Sequence, residues 1–120
     1  VLLWSLENDP RLSATAKALL EDTSHEPLLS VASLWEMAIK ISTGKLERNH
    51  TISELVTQKL EPSGIALLPI SPAHLDIVTT LPFHHRDPFD RLIVAQCLSE
   101  GVPVLSRDGI LDLYGVTRLW

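Results

Sequence analysis

Short apolar blocks of strand length alternate along this chain with segments whose apolar residues recur at helical spacing. Val1-Leu2-Leu3-Trp4 opens in a helical pattern, with no capping residue before it. Asn8-Asp9-Pro10 marks a turn, after which Leu12, Ala16, Leu19 and Leu20 predict a helix up to about Glu21. Pro27 to Val31 reads as a short buried strand. Ser33 stands where it can cap the next helix, with Glu36 three residues on in capping-box spacing. Leu34, Met37, Ala38 and Ile41 give that helix one apolar face, and Gly44 ends it. Ile52, Leu55, Val56 and Leu60 predict a further helix, stopped by Pro62-Ser63-Gly64. Ile65 to Ile70 is the next strand. Ser71-Pro72 and Asp87-Pro88 each read as a cap followed by proline at the first helical position. The second pair opens a helix carrying Leu92, Ile93, Ala95, Gln96 and Leu98, closed by Gly101. Val102 to Ser106 reads as a strand, Asp108 to Leu113 as a short helix, and Val116 to Trp120 as a last strand. Strands separated by helices predict an α/β fold, a parallel sheet flanked by helices on both faces.

Length and composition narrow the function classes. With 120 residues, 45% hydrophobic and 21% charged, residues 1–120 are expected to form one domain with one core. The longest apolar stretch, Ile65 to Ile70, is interrupted by Pro69 and too short to cross a bilayer, so no membrane role is expected. The single cysteine, Cys97, sits among apolar residues. A buried free thiol fits a reducing compartment and places the protein in the cytoplasm. The net charge of −5 argues against coating nucleic acid by charge alone. It leaves room for an RNA enzyme whose carboxylates carry bound Mg²⁺ or Mn²⁺. The uncapped start, with Val1 in place of methionine, points to residues upstream.

In a parallel sheet the ends of strands and the starts of the crossover helices share one edge, where ligands usually bind. Glu36 belongs to the first turn of the helix after the Leu28–Val31 strand. Asp87 and Asp90 belong to the first turn of the helix before the Val102–Ser106 strand, and Asp108 directly follows that strand. Like charges gathered at one edge are costly unless protonated or bridged by a cation. Hard divalent ions prefer such oxygens, and a pair of them can drive phosphodiester hydrolysis. Each residue also has a plainer reading: Asp87, Asp90 and Asp108 as caps or capping-box partners, Glu36 as a partner of Lys40 one turn on. His84 and His85 raise a zinc reading, but adjacent loop residues rarely share one ion, and a loop contact with RNA suits them better. Lys40, Lys45, Arg86, Arg91 and Arg107 flank the acidic edge, either as phosphate contacts or as neutralising partners. Trp4, Trp35 and Trp120 are expected to pack, with Trp35 anchoring the helix that aims Glu36. There is no phosphate-cradling glycine loop, no Cys-His metal spacing and no serine triad.

Ser33 to Lys40 with Gly44-Lys45-Leu46, His84 to Gln96, and Val104 to Asp108 resemble, in order, the signatures of PIN-domain toxins of the VapC kind. Val1 to Trp4 resembles the helix just after that family's first strand. The resemblance covers essentially the whole chain. It implies a three-layer PIN-like sandwich, with Glu36, Asp90 and Asp108 as catalytic and metal-site residues holding Mg²⁺ or Mn²⁺. Ser106 would be the supporting hydroxyl, while Asp87 stays a cap. It further implies RNA hydrolysis by the toxin of a toxin–antitoxin pair, a protein antitoxin as partner, and a homodimer. The family's first aspartate, at the end of a central first strand, would fall upstream of Val1. On this reading the chain is an N-terminally truncated domain whose catalytic set is incomplete. The alternative is a non-catalytic PIN module that binds RNA or a protein partner. A phosphoacceptor receiver would need an aspartate closing a central strand, and no strand read here ends that way.

Overall fold

The structure, a computed structural model, describes residues 2–4, 13–22, 24, 26–47 and 50–120. Five parallel strands form one sheet: β1 (Leu2–Trp4), β2 (Pro27–Ser30), β3 (Ala66–Leu68), β4 (Val104–Leu105) and β5 (Arg118–Leu119). Their order is β3-β2-β1-β4-β5. The chain winds outward from β1 in one direction, then crosses back to add β4 and β5 on the other side. The helices are α1 (Ala14–Glu21), α2 (Val31–Ser42), α3 (Ile52–Leu55), α4 (Pro72–Val78) and α5 (Pro88–Glu100). A π-helical turn, Val56–Leu60, continues α3, and a 3-10 helix, Gly109–Tyr114, joins β4 to β5. The α/β architecture is the one the alternating pattern predicts. The turn expected at Asn8-Asp9-Pro10 lies outside the described residues, as does Leu12.

Alternate strand residues feed opposite faces of the sheet. Leu3, Leu28, Leu68 and Val104 join a core completed by Leu92, Ile93, Ala95 and Cys97 of α5 and by Ile77 and Val78 of α4. Leu2, Leu105 and Leu119 pack with Ala16, Leu19 and Leu20 of α1 on the other face. Leu29 and Leu67 pack there too, against Leu60, Ile52 and Leu55. The result is three layers. Trp4 and Trp120 pack against the α1 cluster as expected. Cys97 is 3% exposed, and burial pushes its thiol up to about 12. No helix among the described residues is long and apolar enough to cross a membrane.

Two expectations are corrected. The opening segment is a strand rather than a helix, and it takes the centre of the sheet, the place the resemblance gives to a strand upstream of Val1. Leu2 N donates to Glu26 O and Leu3 N to Pro103 O, both at 3.0 Å, so β1 is hydrogen-bonded to a neighbour on each side. A run of three or four apolar residues has no period by which helix and strand can be told apart. The second correction concerns α2, which starts directly after β2 with no linker. Its N-cap is Ser30, whose Oγ accepts from Ala32 N at 3.0 Å, and not Ser33. Glu36 therefore sits in the second turn of α2 rather than the first.

Ser30 also fixes α2 against α5. Its hydroxyl donates to Gln96 Oε1, both residues being buried, and Gln96 Nε2 donates to Pro69 O at 3.3 Å. Leucine at position 96 would leave both Ser30 and Pro69 O short of a partner. Gln96→Leu is expected to cost about 2 kcal/mol, read as a lower midpoint in urea with an unchanged denaturant slope.

Candidate metal centre

The carboxylates meet where β1 and β4 lie side by side, the point at which the winding of the sheet reverses. Asp108 comes in the loop after β4. The buried Ser106 Oγ accepts from Asp108 N at 3.1 Å, which sets the turn that presents the aspartate. Asp108 then caps the 3-10 helix with one oxygen, Oδ1 accepting from Ile110 N at 3.0 Å. The other oxygen, Oδ2, faces the α5 N-terminus. There Asp87 is the N-cap, accepting from Phe89 N at 2.8 Å and Asp90 N at 3.1 Å, with Pro88 at the first helical position. That cap aims Asp90 at Asp108.

Between the two aspartates lies His85. Its Nε2 is 2.8 Å from Asp108 Oδ2 and 3.1 Å from Asp90 Oδ2. One potential ligand atom from each of His85, Asp90 and Asp108 falls within 4.8 Å of the others. The loop before α5 is pinned to put the ring there: His85 N donates to Tyr114 Oη at 2.8 Å, and Asp87 N donates to His85 Nδ1 at 3.1 Å. The two neighbouring histidines part company, since His84 turns away to lie edge-on against the Tyr114 ring at 5.1 Å.

Glu36 stands outside this tight group but within its field. Burial raises its pKa, Lys40 at 4.0 Å opposes the rise, and the Asp87 charge adds to it. Asp90 is raised from 3.8 to about 6. Burial is the main cause, and the charges of Asp87, Glu36 and Asp108 push the same way while His85 opposes them. The edge thus carries more negative charge than its protein surroundings neutralise, and the atoms on offer are mostly hard oxygens. That donor set fits Mg²⁺ or Mn²⁺.

The basic residues read beside this edge separate. Lys40 pairs with Glu36 one turn away, while Lys45, Arg86 and Arg107 are exposed. Arg91 is a correction to the phosphate-contact reading. It is 6% exposed, and its guanidinium donates to Pro82 O, Leu81 O and Val78 O and lies over the Phe83 ring. A guanidinium engaged by three carbonyls braces the 78–83 segment and faces away from solvent. Trp35 packs edge-on against Phe89 at 5.0 Å, joining α2 to α5, though it is more than half exposed. His85, a loop contact with RNA on the sequence reading, is found between the two aspartates, where that reading did not place it. Its signal was its place in the short loop that leads into the Asp87 cap.

A family model described as "PIN domain" matches residues 1–116. Ribonuclease VapC16 of Mycobacterium tuberculosis (strain ATCC 25618 / H37Rv) is 35% identical over 69 residues, which cover 54% of this chain and 49% of that protein. The chain therefore spans about half the length of this curated relative. FitAcB from Neisseria gonorrhoeae has the same fold, with a TM-score of 0.69 at 16% identity over 100% of this chain and 97% of that one. So has FitAB bound to the IR36 DNA fragment, with a TM-score of 0.68 at 17% identity over 99% and 94%. At such identities these two structures speak for the fold alone, whereas the family match runs through nearly every residue. The chain belongs to the PIN-domain family.

Proposed function

We propose that this chain is a metal-dependent endoribonuclease, the toxin of a toxin–antitoxin pair, with Mg²⁺ or Mn²⁺ as cofactor. The observation that carries the reading is the convergence of Asp90 and Asp108 on one nitrogen, with the charge of Glu36 felt at Asp90. Asp90 and Asp108 would hold the ion, and Glu36 would share in holding it or orient the attacking water. A divalent cation bound there would supply the Lewis acidity for hydrolysing an RNA phosphodiester. Ser106 keeps Asp108 at its angle through the backbone bond already described. Lys40, Lys45, Arg86 and Arg107 are the candidates for phosphate contacts along the strand being cut. VapC16 carries ribonuclease in its name, in keeping with RNA as substrate. The resemblance to VapC toxins adds a protein antitoxin as inhibitor, a homodimer and a cytoplasmic setting, in which a buried Cys97 thiol is at home.

A second reading, a PIN module that binds RNA or a protein without cutting, draws on one observation. Strand β1 ends at Trp4, so none of the described carboxylates closes the central strand. One assay separates the two. A mixed RNA substrate is incubated with the chain and Mn²⁺, with EDTA, and with Asp108→Asn. For the enzyme, cleavage stops in EDTA and falls at least about 100-fold in the variant, beyond the loss of a mere outer-shell partner. RNA retention without cleavage in every arm establishes the binding module instead.

A further inference from the structure

His85 is held between the two carboxylates in a defined tautomer. Nδ1 accepts the Asp87 backbone N–H, so that nitrogen bears no proton and Nε2 bears it. The Nε2–H is then donated to Asp108 Oδ2 at 2.8 Å, and Asp90 Oδ2 lies 3.1 Å from the same nitrogen. A histidine that ligates a metal is arranged the other way. It gives one nitrogen's lone pair to the ion and donates its second N–H to a carbonyl, carboxylate or water. Here the second nitrogen faces a donor. Ligation through Nε2 would leave two N–H groups opposed at Nδ1, breaking the bond to the amide of the very residue that caps α5. The ring is thus built to donate into the site.

We propose that His85 is a placeholder donor: its Nε2–H, donated to Asp108 Oδ2 with Asp90 Oδ2 beside it, fills the gap between the two carboxylates and is displaced from it when a divalent cation binds. The inference rests on the metal-centre reading above and goes beyond it in assigning this ring a role. Two carboxylates on different segments repel, and the ring offsets that repulsion while the site holds no ion. Backbone bonds set Asp90 and Asp108 independently of the ring, so an ion entering the site has only to break the hydrogen bond between His85 and Asp108. His85 is in these terms a positioning residue that sets the affinity of the site.

The test is Mn²⁺ binding to the wild type, His85→Ala and Asp90→Asn, followed by titration calorimetry and by electron paramagnetic resonance of the bound ion. His85→Ala is expected to bind Mn²⁺ about fivefold to tenfold tighter, the size of releasing an ion from competition with a hydrogen bond. The wild-type Mn²⁺ signal should carry no ¹⁴N modulation. Equal or weaker binding by His85→Ala, or nitrogen modulation in the wild type, overturns the proposal. Should Asp90→Asn lose Mn²⁺ while His85→Ala gains nothing, the placeholder alone falls. Wild-type affinity in Asp90→Asn takes the metal centre down with it. If His85→Ala does not fold, ¹⁵N resonance of the wild-type imidazole decides: added Mg²⁺ should move the Nε2–H signal to a solvent-exchanging value, and an unmoved signal overturns the idea.

Discussion

Asp90→Asn is expected to make the chain more stable while removing its response to Mn²⁺. The carboxyl of Asp90 is raised from 3.8 to about 6, chiefly by burial and then by the Asp87, Glu36 and Asp108 charges. A folded-state value above the unfolded one means that folding disfavours the ionised form. The penalty is absent below about pH 3.8, grows as the pH rises, and is complete above about pH 6. A shift of this size corresponds to roughly 3 kcal/mol at 1.36 per unit. The side chain is 26% exposed, so solvent screening reduces that to about 1–2 kcal/mol. Asparagine keeps the shape but carries no charge. Its melting temperature at pH 7.5 without metal should exceed wild type by roughly 3–8 °C. The gap should narrow as the pH falls below about 6 and close below about pH 3.8, where Asp90 is protonated in both states. Added Mn²⁺ should raise the wild type and leave the variant where it was. A variant that melts lower at pH 7.5, or a gap that ignores pH, would show that the charge at position 90 is not strained.

Arg91→Ala should have the opposite effect, and a larger one. The guanidinium serves Pro82 O at 2.8 Å, Leu81 O at 3.2 Å and Val78 O at 3.4 Å, with Tyr114 Oη at 3.4 Å. It also lies 4.1 Å from the centre of the Phe83 ring. Alanine removes the shared donor of those carbonyls, Leu81 among them buried, and leaves a cavity between α4, α5 and the 3-10 helix. A loss of about 3–5 kcal/mol follows, a fall in melting temperature of more than about 10 °C. Arg86→Ala, at an exposed position, should stay within about 0.5 kcal/mol of wild type. Thermal melts and RNA-binding titrations on the two variants separate the roles. An Arg91→Ala chain that melts normally and only binds RNA more weakly would return Arg91 to the phosphate contacts.

What the sequence made legible was local chemistry. Ser71-Pro72, Asp87-Pro88 and Gly101 each act through their own backbone and nearest neighbours, and each is found doing what its side chain dictates. The alternation of strand and helix was legible for the same reason. From it followed the shared edge on which Asp90 and Asp108 converge. What escaped depends on contacts across the fold. Leu2–Trp4 becomes a strand because two neighbours offer it hydrogen bonds, not because its own pattern demands it. Ser30 replaces Ser33 as cap because β2 runs straight into α2, and Ser33 Oγ is left buried with no hydrogen-bond partner among the described residues. Arg91 looked like its charged neighbours until Pro82 and Leu81 turned their carbonyls toward it. His85 could be read as a loop residue, but the two carboxylates it meets come from α5 and from beyond β4, a meeting that only the winding of the sheet arranges.

Cys97 lies on the same helix as Asp90 and Gln96, with its thiol held in the protonated form by burial. A protonated, enclosed sulfur is a poor nucleophile, so an alkylating reagent meets a reactive thiolate only when the packing around Cys97 opens. The chain consequently carries its own stopwatch. The rate at which this thiol is trapped at neutral pH records how often the packing at the C-terminal end of α5 opens, with no added dye or engineered label.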